Sequence, residues 1–317
     1  MKKIFWVLYV ITAMFAITVV SCEKDADYNY SIIVITSSSK VSFRIGTEFK
    51  GSIDIDWGNG NIEKYASEVF STVLVRDNLG TSTKTITITG LVTSFICDGN
   101  ELTKLDVSNN NALTRLDCNY TQLTSLDVSK NTALGALRCG NNLLTSLDLS
   151  KNTALTILEC EFNQLTSLDV SKNTILTNFK CEYNQLTSLD VSKNTALREL
   201  HCHNNLITGL DVSKNTALQL LYCDNNQLTS LDVSKNTKLT NFKCDNNQLT
   251  SLDVSKNTAL SSFSCSSNQQ TADTLNTLFD TLHSNNLPTK YVYIGNNPGT
   301  DTCDRSIAEK KGWYVDS

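Results

Sequence analysis

The residues best suited to chemistry in this sequence are two histidines and two acids near its middle. His201 and His203 are separated by one residue, and Glu182 and Asp224 each lie 21 positions from His203. Two imidazoles with two carboxylates form a donor set that suits zinc or another transition metal. The alternative is that a histidine between two acids relieves their repulsion at a solvated surface. We predict the second arrangement, with no metal and no cofactor.

Catalysis is not indicated elsewhere in the sequence. The motifs G-x-S-x-G and H-E-x-x-H and the phosphate-binding loop are missing. The third histidine, His283, stands far from the other two, in the C-terminal part. Because no general base is placed against a nucleophile, we predict that the protein is not an enzyme.

Cysteines make the second chemical pattern, since nine of them follow one another at 21-residue intervals. They are Cys97, Cys118, Cys139, Cys160, Cys181, Cys202, Cys223, Cys244 and Cys265. A period this regular indicates a solenoid of stacked coils. Coils about 4.8 Å apart hold such side chains parallel, whereas disulfides need Cβ atoms about 3.8 Å apart and metals need converging ligands. We therefore predict buried, unpaired thiols.

The repeat that positions these cysteines reads L-x-x-L-x-C-x-x-N-Q-L-T-S-L-D-V-S-K-N-T-A. In one copy its apolar and asparagine positions are Leu155, Leu158, Cys160, Asn163 and Leu165. This pattern resembles the leucine-rich repeat, with cysteine in the third apolar position. The resemblance implies a mainly β solenoid of about nine coils over residues 91–270, and a role in ligand binding or adhesion.

The second half of each unit repeats the spacing of the first half. Leu165, Leu168 and Val170 copy the spacing of the three apolar positions before them, so we expect a second short strand in each coil. Asn163 and its equivalents are expected to satisfy backbone groups at a bend. The aspartates at Asp169 and its equivalents, with lysines three residues on, predict a solvated charged surface. Calcium between coils is the alternative, although the glycine-rich calcium-binding pattern is missing.

The N-terminal segment has the features of an export signal. Lys2 and Lys3 precede an apolar run over residues 4–20, and the alternative interpretation is an uncleaved membrane helix. Val19-Val20-Ser21-Cys22 resembles the lipobox of bacterial lipoproteins, which implies cleavage after residues 1–21 and a lipid anchor on Cys22. An acidic tether follows over residues 22–28 and resembles the export signal of outer-membrane lipoproteins that face the cell exterior.

Two non-repetitive segments flank the solenoid. Residues 29–90 alternate apolar and polar positions, which predicts a small all-β cap. Its Asp56-Trp57-Gly58-Asn59-Gly60 resembles the W-G-D-G turn of PKD domains. Trp57 is then a core aromatic, and calcium binding by Asp56 is the alternative. Residues 271–317 predict an α/β cap, with a helix capped by Thr271, strands at 291–294 and near 313–315, and a short helix around 303–311.

The overall charge argues against a nucleic-acid partner. The formal net charge is −5, and the loss of Lys2 and Lys3 with a signal peptide would make it −7. Such a chain offers no basic surface to phosphates. Lipid on Cys22 is the one membrane contact that the sequence predicts.

The outward positions that flank each cysteine differ from coil to coil, whereas the second half of the unit is nearly constant. In a strand these two positions share a face, which would extend about 40 Å along nine coils. We predict that this face binds a protein, either a host extracellular protein or another bacterial surface protein. The candidate residues are Arg138, Glu159, Phe162, Lys180, Glu182, Tyr183, His201, His203, Tyr222, Asp224 and Lys243.

Two other interpretations of this face stay open. Tyr120, Phe162, Tyr183 and Tyr222 could serve as aromatic platforms for a glycan. A passive spacer, in which the coils only hold something away from the membrane, would need none of these side chains.

Overall fold

A computed structural model describes residues 30–47, 51–67, 72–80 and 82–316. They form a mainly β solenoid of about 11 turns with a spacing of about 21 residues, and 5% of the chain is helical. The predicted fold class is confirmed. The predicted signal peptide, the lipid anchor on Cys22 and the acidic tether lie outside the described residues. In the part of the chain that is described, no helix has the length and apolar character needed to cross a membrane.

Six strands precede the repeats. They are β1 Ser31–Thr36, β2 Val41–Gly46, β3 Gly51–Asp56, β4 Ile62–Ser67, β5 Thr72–Arg76 and β6 Lys84–Thr89. The alternation of the sequence predicted β1, β2, β3 and β6 but missed β4 and β5. Both missed strands lie at sheet edges and bury few side chains; Val73 and Val75 of β5, for example, are exposed. An edge strand needs little apolar alternation, so its pattern is weak.

The N-terminal strands continue directly into the first coil, which contributes β7 Ser94–Ile96 and β8 Leu102–Asp106. One sheet has the order β4-β3-β6-β1-β8, and in the second sheet β5 and β2 precede β7. Asn100 joins the two units, since it donates to Ser42 O (2.9 Å) and accepts from Ser42 N (2.8 Å). Trp57 is buried and stacks on Phe43 at 6.1 Å between ring centroids, so its predicted core role is confirmed.

The Asp56 turn is closed by its own side chain. Asp56 Oδ1 accepts hydrogen bonds from the backbone N–H groups of Gly58 (2.8 Å), Asn59 (3.1 Å) and Gly60 (3.0 Å). Gly58 and Gly60 adopt φ of 87° and 77°, which glycine reaches without a steric penalty. A turn-stabilising role thus accounts for Asp56.

The repeats add one short parallel strand per coil to the second sheet. These strands are β9 Arg115–Asp117, β10 Ala136–Arg138, β11 Ile157–Glu159, β12 Asn178–Lys180, β13 Glu199–His201, β14 Leu220–Tyr222, β15 Asn241–Lys243 and β16 Ser262–Ser264. Their register is uniform, as in Leu137↔Leu158 between β10 and β11. All nine ladder cysteines and nearly all leucines at the apolar positions of the repeat are buried, whereas Leu143 and Leu206, at outward positions, are exposed. The cysteines are free thiols, as predicted.

The prediction of a second strand in each coil is wrong for the regular repeats. Among the described second halves, only that of the first coil forms a strand, β8. Backbone groups there are satisfied in other ways. Asp169 Oδ1 accepts from Ser171 N at 2.8 Å, and Asn173 N bonds within the coil to Val170 O at 3.0 Å. The second half keeps a single backbone hydrogen bond between coils, such as Gln185 N to Leu165 O at 2.9 Å, so its apolar spacing brings the residues inward without a paired strand.

Two columns of asparagines cross-link neighbouring coils. Asn163 Nδ2 donates to Cys139 O (3.0 Å) and Cys160 O (3.1 Å), while its Oδ1 accepts from Leu144 N (3.0 Å). This confirms the predicted role at the bend. A second column that the sequence analysis did not single out includes Asn173, whose Nδ2 donates to Leu149 O (3.3 Å) and Asn152 O (2.9 Å).

The C-terminal end both covers the last coil and lengthens the sheet. Its elements are α1 Ala272–Thr281, β17 Tyr291–Tyr293, α2 Ser306–Glu309 and β18 Tyr314–Asp316. Thr271 is the N-cap of α1, as predicted, and α1 buries Leu275, Leu278 and Phe279. Strand β17 pairs in parallel with β16, and β18 pairs with β17. These two strands take the solenoid beyond its nine cysteine coils.

Candidate binding face

The variable face consists of the two residues that flank each ladder cysteine, together with the residue two places after it. Parallel register aligns the residues before the cysteines in one row, as in Arg138↔Glu159, Lys180↔His201 and His201↔Tyr222. These side chains are mostly half-buried by their neighbours. Because the strands are joined by backbone hydrogen bonds, the face is a rigid support for its side chains.

Charged side chains connect the coils in the N-terminal half of the face. Arg138 pairs with Asp117 (Nη1 to Oδ1, 3.3 Å) and with Glu159 (Nε to Oε2, 2.8 Å), and Lys180 pairs with Glu159 (Nζ to Oε1, 2.9 Å). Arg115, which was not among the predicted site residues, also pairs with Asp117. Three of the predicted residues, Arg138, Glu159 and Lys180, are therefore paired in a preorganised charge network.

Aromatic rings form a continuous strip across the next coils. Phe162 and Tyr183 stack at 4.1 Å between centroids, and Tyr183 meets His203 edge-on at 5.5 Å. His203 lies 6.2 Å from His201, and His201 lies 4.7 Å from Tyr222. We call these five residues the aromatic strip. It crosses from the rim to the row before the cysteines, where Lys243 Nζ lies 5.1 Å from the Tyr222 ring.

The rim residues, two places after each cysteine, share an unusual backbone conformation. Gly99, Asn141, Asn204, Asn225, Asn246 and Ser267 all have positive φ there. Glycine and asparagine tolerate this left-handed region, whereas bulky residues pay a steric cost in it. Tyr120 (φ 57°), Phe162 (φ 51°) and Tyr183 (φ 53°) nevertheless adopt it. All three are exposed, at 64%, 44% and 44%.

Glu182 lies deeper than predicted. It was expected to project outward beside His203, but it is only 8% exposed, because its neighbours on adjacent coils close over it. Burial raises the pKa of Glu182 to about 7, and the nearby Glu161 carboxylate adds to the increase. Burial also raises the pKa of Glu161. Oε2 of each acid is buried without a hydrogen-bond partner among the described residues.

The two histidines of the strip are shifted in the direction of the neutral imidazole. Burial, reinforced by the Lys180 charge, lowers the pKa of His201 to about 4. Burial also lowers the pKa of His203, although the Asp224 carboxylate opposes that shift. Nδ1 of His203 is buried and has no hydrogen-bond partner among the described residues. Burial therefore favours the neutral imidazole, in which one ring nitrogen carries a lone pair, at both positions.

The predicted group of four chemical residues is only partly assembled. The potential ligand atoms of Glu182, His201 and His203 all lie within 4.8 Å of one another, and Asp224 is outside this group. Asp224 Oδ2 instead accepts a hydrogen bond from Asn225 Nδ2 at 2.7 Å. The pattern predicted equal distances from His203 to the two acids, but side-chain direction breaks that symmetry.

The structure brings all the predicted face residues onto one surface. Sequence reasoning missed Arg115 and the left-handed rim. A signal for the rim was present, since asparagine or glycine occupies the same position in the other coils except at Ser267, and these residues mark positive φ.

Solved structures share this architecture. The functional domain of InlJ from Listeria monocytogenes, described as including a cysteine ladder, matches with 39% identity and a TM-score of 0.63, over 73% of this chain and 50% of that one. The chain has the leucine-rich-repeat fold. This chain spans half the length of the InlJ domain. Its buried cysteine column is similar to the cysteine ladder described for that protein.

More distant structures agree on the fold alone. The leucine-rich-repeat protein LIC12759 from Leptospira interrogans matches with 20% identity and a TM-score of 0.56, over 66% of this chain and 62% of that one. The leucine-rich-repeat domain of APL1B matches with 22% identity and a TM-score of 0.51, over 63% and 61%. No protein-family model and no curated protein matches the sequence.

Proposed function

We propose that this protein is a non-enzymatic binding protein that recognises a protein partner through the variable face. The observation that carries the proposal is the aromatic strip, whose rim members keep a left-handed backbone. An L-residue in that conformation costs about 1–2 kcal/mol relative to its ordinary one, and strained positions of this kind concentrate at functional sites. Exposed aromatic rings beside arginine and lysine are typical of interface hot spots.

The likeness to InlJ supports this proposal in outline. That structure is of a functional domain of a bacterial protein with the same repeat geometry. The partner we expect for this chain is a host extracellular protein or another bacterial surface protein.

The test is a binding experiment with matched variants. Purified protein is immobilised and exposed to a panel of host extracellular proteins and, in parallel, to a panel of glycans. One variant combines Phe162→Asn, Tyr183→Asn and Tyr222→Ser. The control carries Lys172→Ser, Lys193→Ser and Lys214→Ser, which alter exposed residues in the constant half of the coils.

We expect saturable binding of a purified protein that the aromatic variant loses and the lysine control keeps. Retention of glycans alone, abolished by the same aromatic variant, would replace the proposal with a glycan-binding function, for which the stacked Phe162 and Tyr183 rings would be the platform. Equal binding by both variants would remove the aromatic strip from the recognition surface and favour a spacer.

We also propose the cellular context of this face. Residues 1–21 are a signal peptide, Cys22 carries the lipid, and residues 22–28 tether the protein to the outer membrane, facing the cell exterior. Labelling with a fatty-acid analogue in a bacterial host should mark the protein and not its Cys22→Ala variant. Equal labelling of both would contradict the anchor.

The proposed domain division places a PKD-like cap at residues 29–90, the solenoid at 91–270 and an α/β cap at 271–317. The closed Asp56 turn and the antiparallel pairing of β1 to β6 support the PKD-like assignment. Limited proteolysis tests the division, since stable fragments that end elsewhere would contradict these boundaries.

A further inference from the structure

We infer that Glu182, His201 and His203 form a binding site for a divalent transition metal ion of the zinc class. Their ligand atoms lie within 4.8 Å of one another on two adjacent coils. Two imidazoles with one carboxylate are a three-ligand set that zinc uses when a fourth position stays open to water or an incoming group. This inference reverses the metal-free interpretation that the sequence favoured.

The polar atoms of this cluster support the inference independently. Glu182 is more than nine-tenths buried, and its Oε2 has no hydrogen-bond partner among the described residues. His203 is half-buried, but its Nδ1 atom is buried and likewise has no hydrogen-bond partner among the described residues. Buried polar atoms without partners are costly, and each one in a native structure calls for an explanation. A cation bound between these side chains would satisfy both atoms.

The backbone holds the three residues where coordination needs them. His201 ends β13 and is in register with Lys180 of β12, and Tyr183 N donates to His203 O at 3.1 Å. The strands therefore fix the three Cα positions. In a tetrahedral site with bonds of about 2.0–2.2 Å, ligand atoms lie about 3.3 Å apart, so modest side-chain rotations would close the site without moving the coils.

The charges around the cluster are compatible with a bound cation. Lys180, whose charge helps to lower the pKa of His201, is already paired with Glu159 at 2.9 Å. Glu161 lies near Glu182, and Asp224 lies near His203. His201 and His203 belong to the aromatic strip, so an ion here would occupy the centre of the variable face with its open position toward solvent.

The experiment titrates chelator-treated protein with Zn²⁺ by calorimetry and with Co²⁺ by absorption spectroscopy. The variants are Glu182→Gln, His201→Asn and His203→Asn. Asp224→Asn is the matched control, because it removes a carboxylate beside His203 that is not in the ligand group. Circular dichroism and thermal unfolding without metal establish that each variant is folded, and Glu182→Gln preserves the side-chain shape.

We expect a single ion per chain, with an affinity that falls about tenfold or more in each of the three ligand variants and stays within about threefold in Asp224→Asn. The Co²⁺ complex should lack a thiolate charge-transfer band, since the ladder cysteines are buried. Failure to saturate, an unchanged affinity in Glu182→Gln and His203→Asn, or a thiolate band would each overturn the site. Because only the metal and the protein are present, this outcome is independent of whether the face binds a partner.

Discussion

The two halves of each coil join their neighbours by different means. The cysteine half is held by backbone hydrogen bonds between strands, such as Cys160 N to Lys180 O at 2.9 Å. In the described coils, the D-V-S-K-N stretch of the other half relies on side chains, since Asn173 bridges to Leu149 O and Asn152 O. Backbone pairing is indifferent to residue type, whereas side-chain bridging requires one particular residue.

This difference explains why one half varies and the other does not within a single chain. On the cysteine side the outward residues are free to change, because the coils stay joined without them. On the other side, replacing an asparagine removes the link itself. A binding face therefore belongs on the half whose sequence is not already committed to stacking.

The largest expected effect comes from the core that both halves share. Replacing the buried Leu158 by alanine should lower the free energy of unfolding by about 2–5 kcal/mol, because it leaves a cavity between coils. Hydrogen exchange should rise mostly in the adjacent coils, since each repeat contacts only its neighbours. A uniform increase across all nine cysteine coils would contradict the local coupling.

A smaller effect is expected in the constant half. Asn173→Ala removes the side-chain donor that links Leu149 O and Asn152 O to the next coil, although each carbonyl keeps a backbone donor from its own coil. The change should cost about 1–3 kcal/mol in denaturant unfolding. The matched control is Asn178→Ala in strand β12 of the cysteine half, where the change should be within about 0.5 kcal/mol. Equal costs at the two asparagines would remove the proposed distinction between the halves.

On the variable face we expect one substitution to stabilise the folded protein. Tyr120→Asn should raise the free energy of unfolding by about 0.5–1 kcal/mol, because asparagine tolerates the left-handed backbone better than tyrosine. Phe162→Asn relieves similar strain but loses its stack on Tyr183, worth about 0.5–1.5 kcal/mol, so its net change should be near zero. Thermal unfolding of the pair provides the measurement, and destabilisation by Tyr120→Asn would argue against strain at the rim.

The smallest expected effect concerns acid stability in the constant half. Hydrogen bonds from Ser150, Ser171 and Ser192 hold the pKa values of Asp148, Asp169 and Asp190 below their usual 3.8. Carboxyls with a lowered folded-state pKa stabilise the fold above the unfolded-state pKa, and this contribution is lost as the pH falls through the folded-state value.

Replacing these three aspartates by asparagine should therefore flatten the loss of stability below pH 3.8 while the turns stay closed, because an asparagine Oδ1 can accept the same bonds. Urea denaturation at several pH values measures the slope. An unchanged acid slope would place the relevant carboxyls elsewhere in the protein.

Much of this architecture was predictable because the period fixes which residues point inward. The positions of Leu158 and Cys160 followed from spacing, and so did the outward placement of Lys180 and His201. The missing second strands were not predictable, because the same apolar spacing suits an extended segment whose backbone bonds go to side chains such as Asp169. The edge strands β4 and β5 were not predicted, because they bury too few side chains to show an alternating apolar pattern.

At the candidate site, position in the repeat indicated which residues share the face, but not which side chains contact one another. Nothing in the repeat reveals that Glu182 is covered beside the two histidines while Asp224 accepts a hydrogen bond from Asn225, because both acids occupy the same position in their units. Side-chain packing between coils decides that difference. The stacking of Phe162 on Tyr183 likewise depends on rim geometry rather than on strand alternation.

Because of the buried cysteine column, folding competes with disulfide formation. In the stacked solenoid, burial raises the pKa of Cys160 and of the other ladder thiols, which keeps them protonated and shielded from oxidants. Before the coils stack, the same thiols are accessible and sufficiently close in sequence to cross-link into loops that the native spacing forbids. In an oxidising compartment, productive assembly would have to outpace disulfide formation, and a reductant present during refolding should increase the yield of native protein.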